Sequence, residues 1–318
     1  MDTRNLIIAV LVSLLTGACM GSLDGPEEIK DLRVLGVATT PPELIYPATP
    51  PKNFETEVTF LAVNPALPDT PIAWRLTGCV VREEDGRCTP ESEVPLAEGE
   101  DLPGEITAQV TLPEDLIMAS FDADMFQGLF GAAVRVQGIL VQEGEPEVRF
   151  IKSVLASPDY GLGRVANVNP WLDKILEGEE EDEIKFNLNG LWHVKTGTEY
   201  RLLPVAPEEA HETFITPAFE FEGDTADLAA GDRSQVTFTS EEVDEDLVYH
   251  FYTSIGGLSV EMKTEGINVL LESDEDREDR DLSVTFEAPA EPGTGTLWFV
   301  VDDERGGVGW TAIEVVVE

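Results

Sequence analysis

The chain has 318 residues, with 20 Lys and Arg against 63 Asp and Glu, and a formal net charge of −43 at pH 7. This charge excludes nucleic acid as a partner, because the phosphate backbone would be repelled, and it makes anionic lipid surfaces unfavourable. A hydrophobic share of 42% is enough to build packed cores, and the length suits two domains.

The N-terminus has the pattern of a secretory signal peptide. Arg4 precedes an apolar run over residues 6–15, and small residues follow before Cys19. A basic start, a short apolar run and small residues before the cut are typical of a cleaved signal, and the run is too short to span a membrane. We therefore predict a signal peptide at 1–18 and a flexible tether at 19–30.

The segment Thr16-Gly17-Ala18-Cys19 resembles the lipobox of bacterial lipoproteins. In that family the cysteine is acylated and becomes the mature N-terminus, so the resemblance implies lipidation of Cys19, for example with palmitate, and anchoring in the cell envelope at the outer membrane. The family usually has Leu where this chain has Thr16, and Thr16 and Ala18 also suit ordinary signal peptidase. A soluble secreted chain is therefore the alternative.

After the tether, strand-like runs alternate with turn residues. The runs in the first half cover residues 32–37, 55–63, 72–76, 106–112, 132–141 and 148–154. Only residues 115–130 have a helical pattern, which Gly128 and Gly131 bound. Short strands punctuated by Pro and Gly favour an N-terminal β-sandwich, which we place at 31–157.

Two cysteines, Cys79 and Cys88, remain once Cys19 is assigned to lipidation. Export places them in an oxidising compartment, and Asp85-Gly86 between them is a turn signal. We predict a disulfide between them, with two free thiols as the alternative. A redox-active role is not favoured, because the spacing is not that of a CxxC motif.

The stretch from Ser157 to Trp171 is rich in Pro and Gly, and an acidic loop follows it, so we predict a linker at 158–190. Further strand-like runs cover residues 200–205, 235–239, 247–252, 282–286, 295–301 and 311–317. We assign them to a C-terminal Ig-like β-sandwich at 191–318. The predicted fold class is all-β, with two tandem Ig-like sandwiches after a lipoprotein signal peptide.

Two stretches resemble a known group of proteins. DLRVLGV at 31–37, followed by Pro41-Pro42-Glu43, resembles the opening of surface lipoproteins of δ-proteobacterial, myxobacteria-like groups, and LWFVVDDERGGVGW at 297–310 resembles their closing hairpin. Residues 297–310 and 248–257 are also similar to strands of Ig-like and PKD-like extracellular domains. The resemblance implies an Ig-like architecture and surface display. It carries no assigned reaction, so it implies no catalytic residues.

The three histidines give little support to an enzyme. His193, His211 and His250 do not stand at a metal-ligand spacing, and the HExxH motif is absent. His250 lies within an aromatic strand, where we expect a hydrogen-bonded structural role. The GxSxG elbow of hydrolases is absent as well. A hydrolase with a dispersed active site is an alternative that the sequence leaves open.

Acidic clusters are the remaining candidates for a ligand site. Asp302, Asp303 and Glu304 lie at the last predicted hairpin and could join a carboxylate cage for Ca²⁺. The run at 273–281 alternates acidic residues like a calcium loop, but Asp279 stands where that loop needs Gly, so an EF-hand is rejected. The alternative for both clusters is a solvated loop whose charges prevent edge-to-edge pairing.

The tryptophans can be interpreted in two ways. We expect Trp74, Trp298 and Trp310 to pack into cores, and a platform for stacking carbohydrate is the alternative.

The sequence as a whole predicts a lipid-anchored, non-enzymatic cell-envelope protein with a structural or recognition role and no cofactor. Its partners would be the membrane, reached only through the anchor, and an envelope protein or glycan. A Ca²⁺-dependent adhesion or glycan-binding module is the first alternative, and an envelope hydrolase is the second.

Overall fold

The computed structural model describes residues 27–46, 52–80, 88, 92–123, 132–159, 166–178, 182–187, 189–210, 213–221, 236–244, 246–264, 281–303 and 305–318. Strands dominate these residues, and one α-helix interrupts them. The prediction of an all-β fold is confirmed. Cys19 and His211 lie outside the described residues.

The first half forms two facing sheets. The strands are β1 (Arg33–Thr40), β2 (Glu43–Tyr46), β3 (Asn53–Val63), β4 (Ile72–Cys79), β5 (Val94–Asp101), β6 (Gly104–Pro113), β7 (Ala132–Gln142) and β8 (Val148–Pro158). One sheet has the order β1-β3-β6 and the other has the order β2-β8-β7-β4-β5. Helix α1 (Glu114–Ala123) lies between β6 and β7 and overlaps the predicted helical segment, whose residues 124–130 are not described.

Alternation along the strands explains why these two sheets pack together. In β6, Ile106, Ala108, Val110 and Leu112 are buried, while the residues between them face solvent. Side chains of successive strand residues point to opposite faces, so one face of β6 is apolar and must be covered. Phe60 and Trp74 meet in this core edge-to-face, with ring centroids 5.8 Å apart. We call this unit the first sandwich.

The second half repeats the arrangement. Its strands are β9 (Lys174–Glu177), β10 (Asp182–Glu183), β11 (Trp192–Val194), β12 (Glu199–Val205), β13 (Thr213–Phe221), β14 (Val236–Asp244), β15 (Val248–Thr253), β16 (Gly257–Leu258), β17 (Met262–Thr264), β18 (Val284–Glu287), β19 (Gly293–Asp302) and β20 (Val308–Val317). The sheets have the orders β10-β9-β12-β18-β16 and β11-β20-β19-β15-β17, and β13 pairs with β14. We call this unit the second sandwich.

Both sandwiches have the strand connectivity of immunoglobulin domains. In that fold the A, B and E strands form one sheet, and the C, F and G strands form the other. In the first sandwich, β1, β3 and β6 correspond to the A, B and E strands, and β4, β7 and β8 correspond to the C, F and G strands. In the second sandwich, β9, β12 and β18 correspond to A, B and E, and β15, β19 and β20 correspond to C, F and G. In each unit a short early strand pairs in parallel with the last strand. The predicted pair of Ig-like sandwiches is therefore present.

Two predicted boundaries differ from the structure. The tether was expected to continue to residue 30, but Ile29 is only 1% exposed, and its N–H donates to the carbonyl of Thr253 at 2.7 Å. The linker was expected at 158–190, but β9 lies within it and places Ile175 in the second core. In both cases an apolar side chain is buried, and this burial favours an ordered backbone over a free segment.

The predicted disulfide is present. Cys79 ends β4 and is bonded to Cys88, with their Cα atoms 5.4 Å apart. The bridge closes a local loop before β5, whereas the disulfide of antibody domains joins the two sheets.

Removing this bridge with Cys79→Ala and Cys88→Ala should lower the free energy of unfolding by about 2–3 kcal/mol, because the loop entropy of the unfolded chain is restored. Urea unfolding of the oxidised wild type and the double variant measures the loss. Reduction with dithiothreitol is the control, since it should destabilise the wild type by a similar amount and leave the variant unchanged.

Candidate functional site

The two sandwiches meet at a junction formed by the hairpin between β19 and β20. Two glycines in this hairpin lie against the connecting segment. A Cβ atom at Gly307 would lie 2.7 Å from the carbonyl oxygen of Val168, and one at Gly309 would lie 2.0 Å from that of Pro170. These distances are shorter than real contacts, so only glycine allows this approach. The glycines of this loop therefore allow the hairpin to pack directly against the connecting segment.

A network of buried polar side chains holds the junction together. Glu43 from β2 is 3% exposed and accepts a charge-assisted hydrogen bond from Arg305 at 3.2 Å. The backbone N–H of Asn167 donates to the same Glu43 oxygen at 3.3 Å. Because Glu43 belongs to the first sandwich and Arg305 to the second, this ion pair joins them across 262 positions of sequence.

Asp303 is the central acceptor of the network. It is 2% exposed, and its Oδ1 accepts hydrogen bonds from the backbone N–H groups of Arg305 at 2.9 Å and Gly307 at 2.8 Å. Its Oδ2 accepts from the side chain of Asn167 at 2.8 Å. Burial raises the pKa of Asp303, and these donors oppose the shift because they favour the charged carboxylate. Asp303 thus fixes the hairpin conformation and ties it to the connecting segment.

Apolar contacts extend the junction. Ile29, Leu35, Leu61 and Val63 form a cluster with Trp298 and Val300 of β19, and Trp310 packs against its edge. The indole N–H of Trp310 donates to Glu105 of the first sandwich at 3.1 Å. Trp74 and Trp298 are buried and Trp310 is half-buried, so the prediction that these side chains pack into apolar clusters is confirmed.

A cleft of about 380 Å³ opens beside this network, and we call it the junction cleft. Apolar residues of β1 and β8 form one wall, and His250, Tyr252 and Asp302 of the second sandwich form the other. Lys152 from β8 also lines the cleft, although it is only 8% exposed. Each sandwich therefore contributes polar groups to one shared cavity.

Burial changes the acid–base properties of two groups in the cleft. Desolvation lowers the pKa of Lys152 to about 8, and the negative charges of Asp303 and Asp302 oppose this shift. Desolvation raises the pKa of Tyr252, and the nearby carboxylates of Glu261 and Asp302 raise it further. Lys152 is thus less basic than an ordinary lysine, and Tyr252 stays protonated to higher pH.

His250 has the hydrogen-bonded role that the sequence predicts. Its Nε2 lies 2.9 Å from Oδ2 of Asp302 on the neighbouring strand β19. His193 lies in β11, and its Nε2 is 2.8 Å from the side-chain amide nitrogen of Asn187. The structure does not bring these two histidines together.

The predicted Ca²⁺ cage of Asp302, Asp303 and Glu304 is only partly described, because Glu304 lies outside the described residues. Asp302 contacts His250 on its own sheet, whereas Asp303 contacts Asn167 and the hairpin backbone. Across the described ranges, no three His, Cys, Asp or Glu side chains form a group that could hold a metal ion.

We expect Asp303→Ala to lower the free energy of unfolding by about 1–3 kcal/mol without any Ca²⁺, because buried donors lose their acceptor. Thermal unfolding in EDTA measures this loss, and Asp302→Ala, which removes a more exposed carboxylate, should cost less. The same assay in millimolar Ca²⁺ tests the cage. A higher melting temperature that both substitutions abolish supports it, and an unchanged wild-type value contradicts it.

Sequence reasoning missed Glu43, Lys152, Asn167 and Arg305 as members of one site. Lys152 did carry a signal, because Val148, Phe150 and Val154 share its strand parity and pack towards the first core. A charged residue at an inward strand position requires an explanation. Asn167 lies in a Pro- and Gly-rich segment without periodicity, where the sequence offers no such signal.

The described part of the chain holds no helix with the length and hydropathy that a membrane span requires. No protein-family model matches the chain, and no curated protein matches it. Among solved structures, the chain is similar to the crystal structure of DIP-gamma IG1+IG2, with 10% identity, a TM-score of 0.19, and coverage of 91% of this chain and 98% of that one. The strand connectivity described above is the basis for the Ig-like assignment.

Proposed function

We propose that this chain is a non-enzymatic protein of the cell envelope, anchored in the outer membrane through lipid on Cys19, with a structural or recognition role. One observation carries the proposal: the two Ig-like sandwiches are packed into a single body by the buried Glu43–Arg305 pair and the apolar cluster around Trp298. A junction with a buried ion pair and an apolar cluster restrains movement between the modules more than the polar, transient contact usual between domains.

The course of the N-terminal segment supports the same interpretation. The backbone of Glu27 and Ile29 is hydrogen-bonded to Thr253 at the edge of the junction. An anchor eight positions earlier, at Cys19, would hold both sandwiches near the membrane through a short connection. This arrangement suits a surface arm with a fixed orientation between its two modules.

Metabolic labelling with palmitate in a bacterial host tests the anchor. We expect the wild-type chain to incorporate label and to fractionate with membranes, and Cys19→Ala to lose both properties. Cys79→Ala with Cys88→Ala is the matched control, because it removes two cysteines and should keep the label. An unlabelled wild type, or equal labelling of Cys19→Ala, would contradict the proposal.

A further inference from the structure

We propose that the junction cleft binds a small organic molecule that carries one carboxylate on an apolar body, and that the amine of Lys152 binds the carboxylate. This inference gives the proposed recognition role a ligand class. It does not depend on the lipid anchor, so the two proposals can fail separately.

Lys152 is a largely buried cationic side chain in the wall of the cleft. Its side chain is 8% exposed and lines the cleft, so the amine has lost most of its contact with bulk water. An ammonium group that is largely removed from water gains from a nearby acceptor. A carboxylate in the cleft would supply such an acceptor and a charge-assisted hydrogen bond.

The polar groups that neighbour Lys152 already have partners within the protein. The carboxylate of Asp302 contacts His250, and that of Asp303 accepts three hydrogen bonds from the protein. Lys152 is therefore the cationic group that is left for a ligand. The negative charges of Asp302 and Asp303 also lie close enough to influence Lys152, and they would repel a dianion such as phosphate more than a single carboxylate.

The shape and lining of the cleft suit a small ligand with an apolar body. Its volume of about 380 Å³ lies at the lower end of the range usual for small-molecule sites. Val34, Val37, Phe150 and Val300 supply apolar walls, and Tyr252 adds an aromatic ring. An apolar body no larger than a phenyl ring with a short chain suits this space, and the walls would also exclude water from the Lys152–carboxylate pair.

Calorimetric titration of the full chain in detergent with 3-phenylpropionate tests the proposal. The neutral 3-phenylpropionamide is the matched probe, since it has the same body without the charge. We expect the carboxylate to bind at least about tenfold more tightly than the amide. Lys152→Met should abolish this preference, and Lys174→Met, which removes an exposed lysine, should retain it.

A measurement on the wild type keeps the test valid if Lys152→Met does not fold. Brief acetylation with acetic anhydride, followed by peptide mass spectrometry, reports the access of each lysine. Saturating 3-phenylpropionate should protect Lys152 and leave Lys174 unprotected. The proposal is overturned if neither probe binds, if the amide binds as tightly as the carboxylate, if Lys152→Met keeps the preference, or if Lys152 is not protected.

Discussion

Arg305→Met is expected to lower the free energy of unfolding by about 3–5 kcal/mol, the largest loss that we predict for a single side chain of the junction. The substitution keeps most of the apolar stem but removes the guanidinium that neutralises Glu43, whose side chain is 3% exposed. The buried Glu43 carboxylate then loses a charged donor, and with it part of the energy that offsets its desolvation penalty. Urea unfolding at neutral pH measures the change.

Two further variants separate this explanation from a general loss of charge. Arg149→Met removes an arginine whose pair with Glu147 is exposed, and should cost less than about 1 kcal/mol. Glu43→Gln combined with Arg305→Met removes the unbalanced charge and should recover part of the stability lost in the single variant. Equal losses for Arg305→Met and Arg149→Met would contradict the role assigned to the buried pair.

Lys152 is expected to make stability depend on pH in the alkaline range. Its pKa is about 8 in the folded chain, against 10.5 for an ordinary lysine. Between these values the folded chain binds fewer protons than the unfolded chain, so stability rises with pH across this window. For Lys152 alone the gain is about 3 kcal/mol from pH 7 to pH 11, since each pKa unit corresponds to about 1.4 kcal/mol.

The difference in unfolding free energy between the wild type and Lys152→Met isolates this effect from the titration of other groups. At neutral pH the free energy of unfolding should be higher for Lys152→Met than for the wild type. By pH 11 this difference should have shifted by about 3 kcal/mol in favour of the wild type. Lys174→Met is the control and should show a flat difference, because Lys174 is exposed. A flat difference for Lys152→Met as well would show that its amine is not desolvated.

Much of the fold follows from local patterns in the sequence. The alternation of Ile106, Ala108, Val110 and Leu112 with polar residues predicts a half-buried strand, and the structure has that strand in β6. The pairing of Cys79 with Cys88 is predicted from the expectation of export, because two cysteines remain once Cys19 is assigned to lipidation, and the structure has this bridge. In these cases the physical cause lies within a few residues, so the pattern is visible without coordinates.

The site could not be predicted in the same way, because its members come from distant segments. Asp302 and Asp303 are adjacent in sequence, which made them attractive as joint ligands of one ion. Adjacent side chains in an extended segment point to opposite faces, and here one contacts His250 while the other contacts Asn167. Sequence proximity was therefore a poor guide to spatial proximity.

The hydrogen bonds between residues 27–29 and Thr253 have a mechanical consequence. Tension on the leading end of the chain would reach the second sandwich at β15 before it reaches β1 of the first. The force would act first on these few backbone hydrogen bonds and on the buried Ile29 side chain. At low force the longer strand pairings of both sandwiches would stay intact. Detachment of this segment would lengthen the connection to the leading end while both folded units stayed intact.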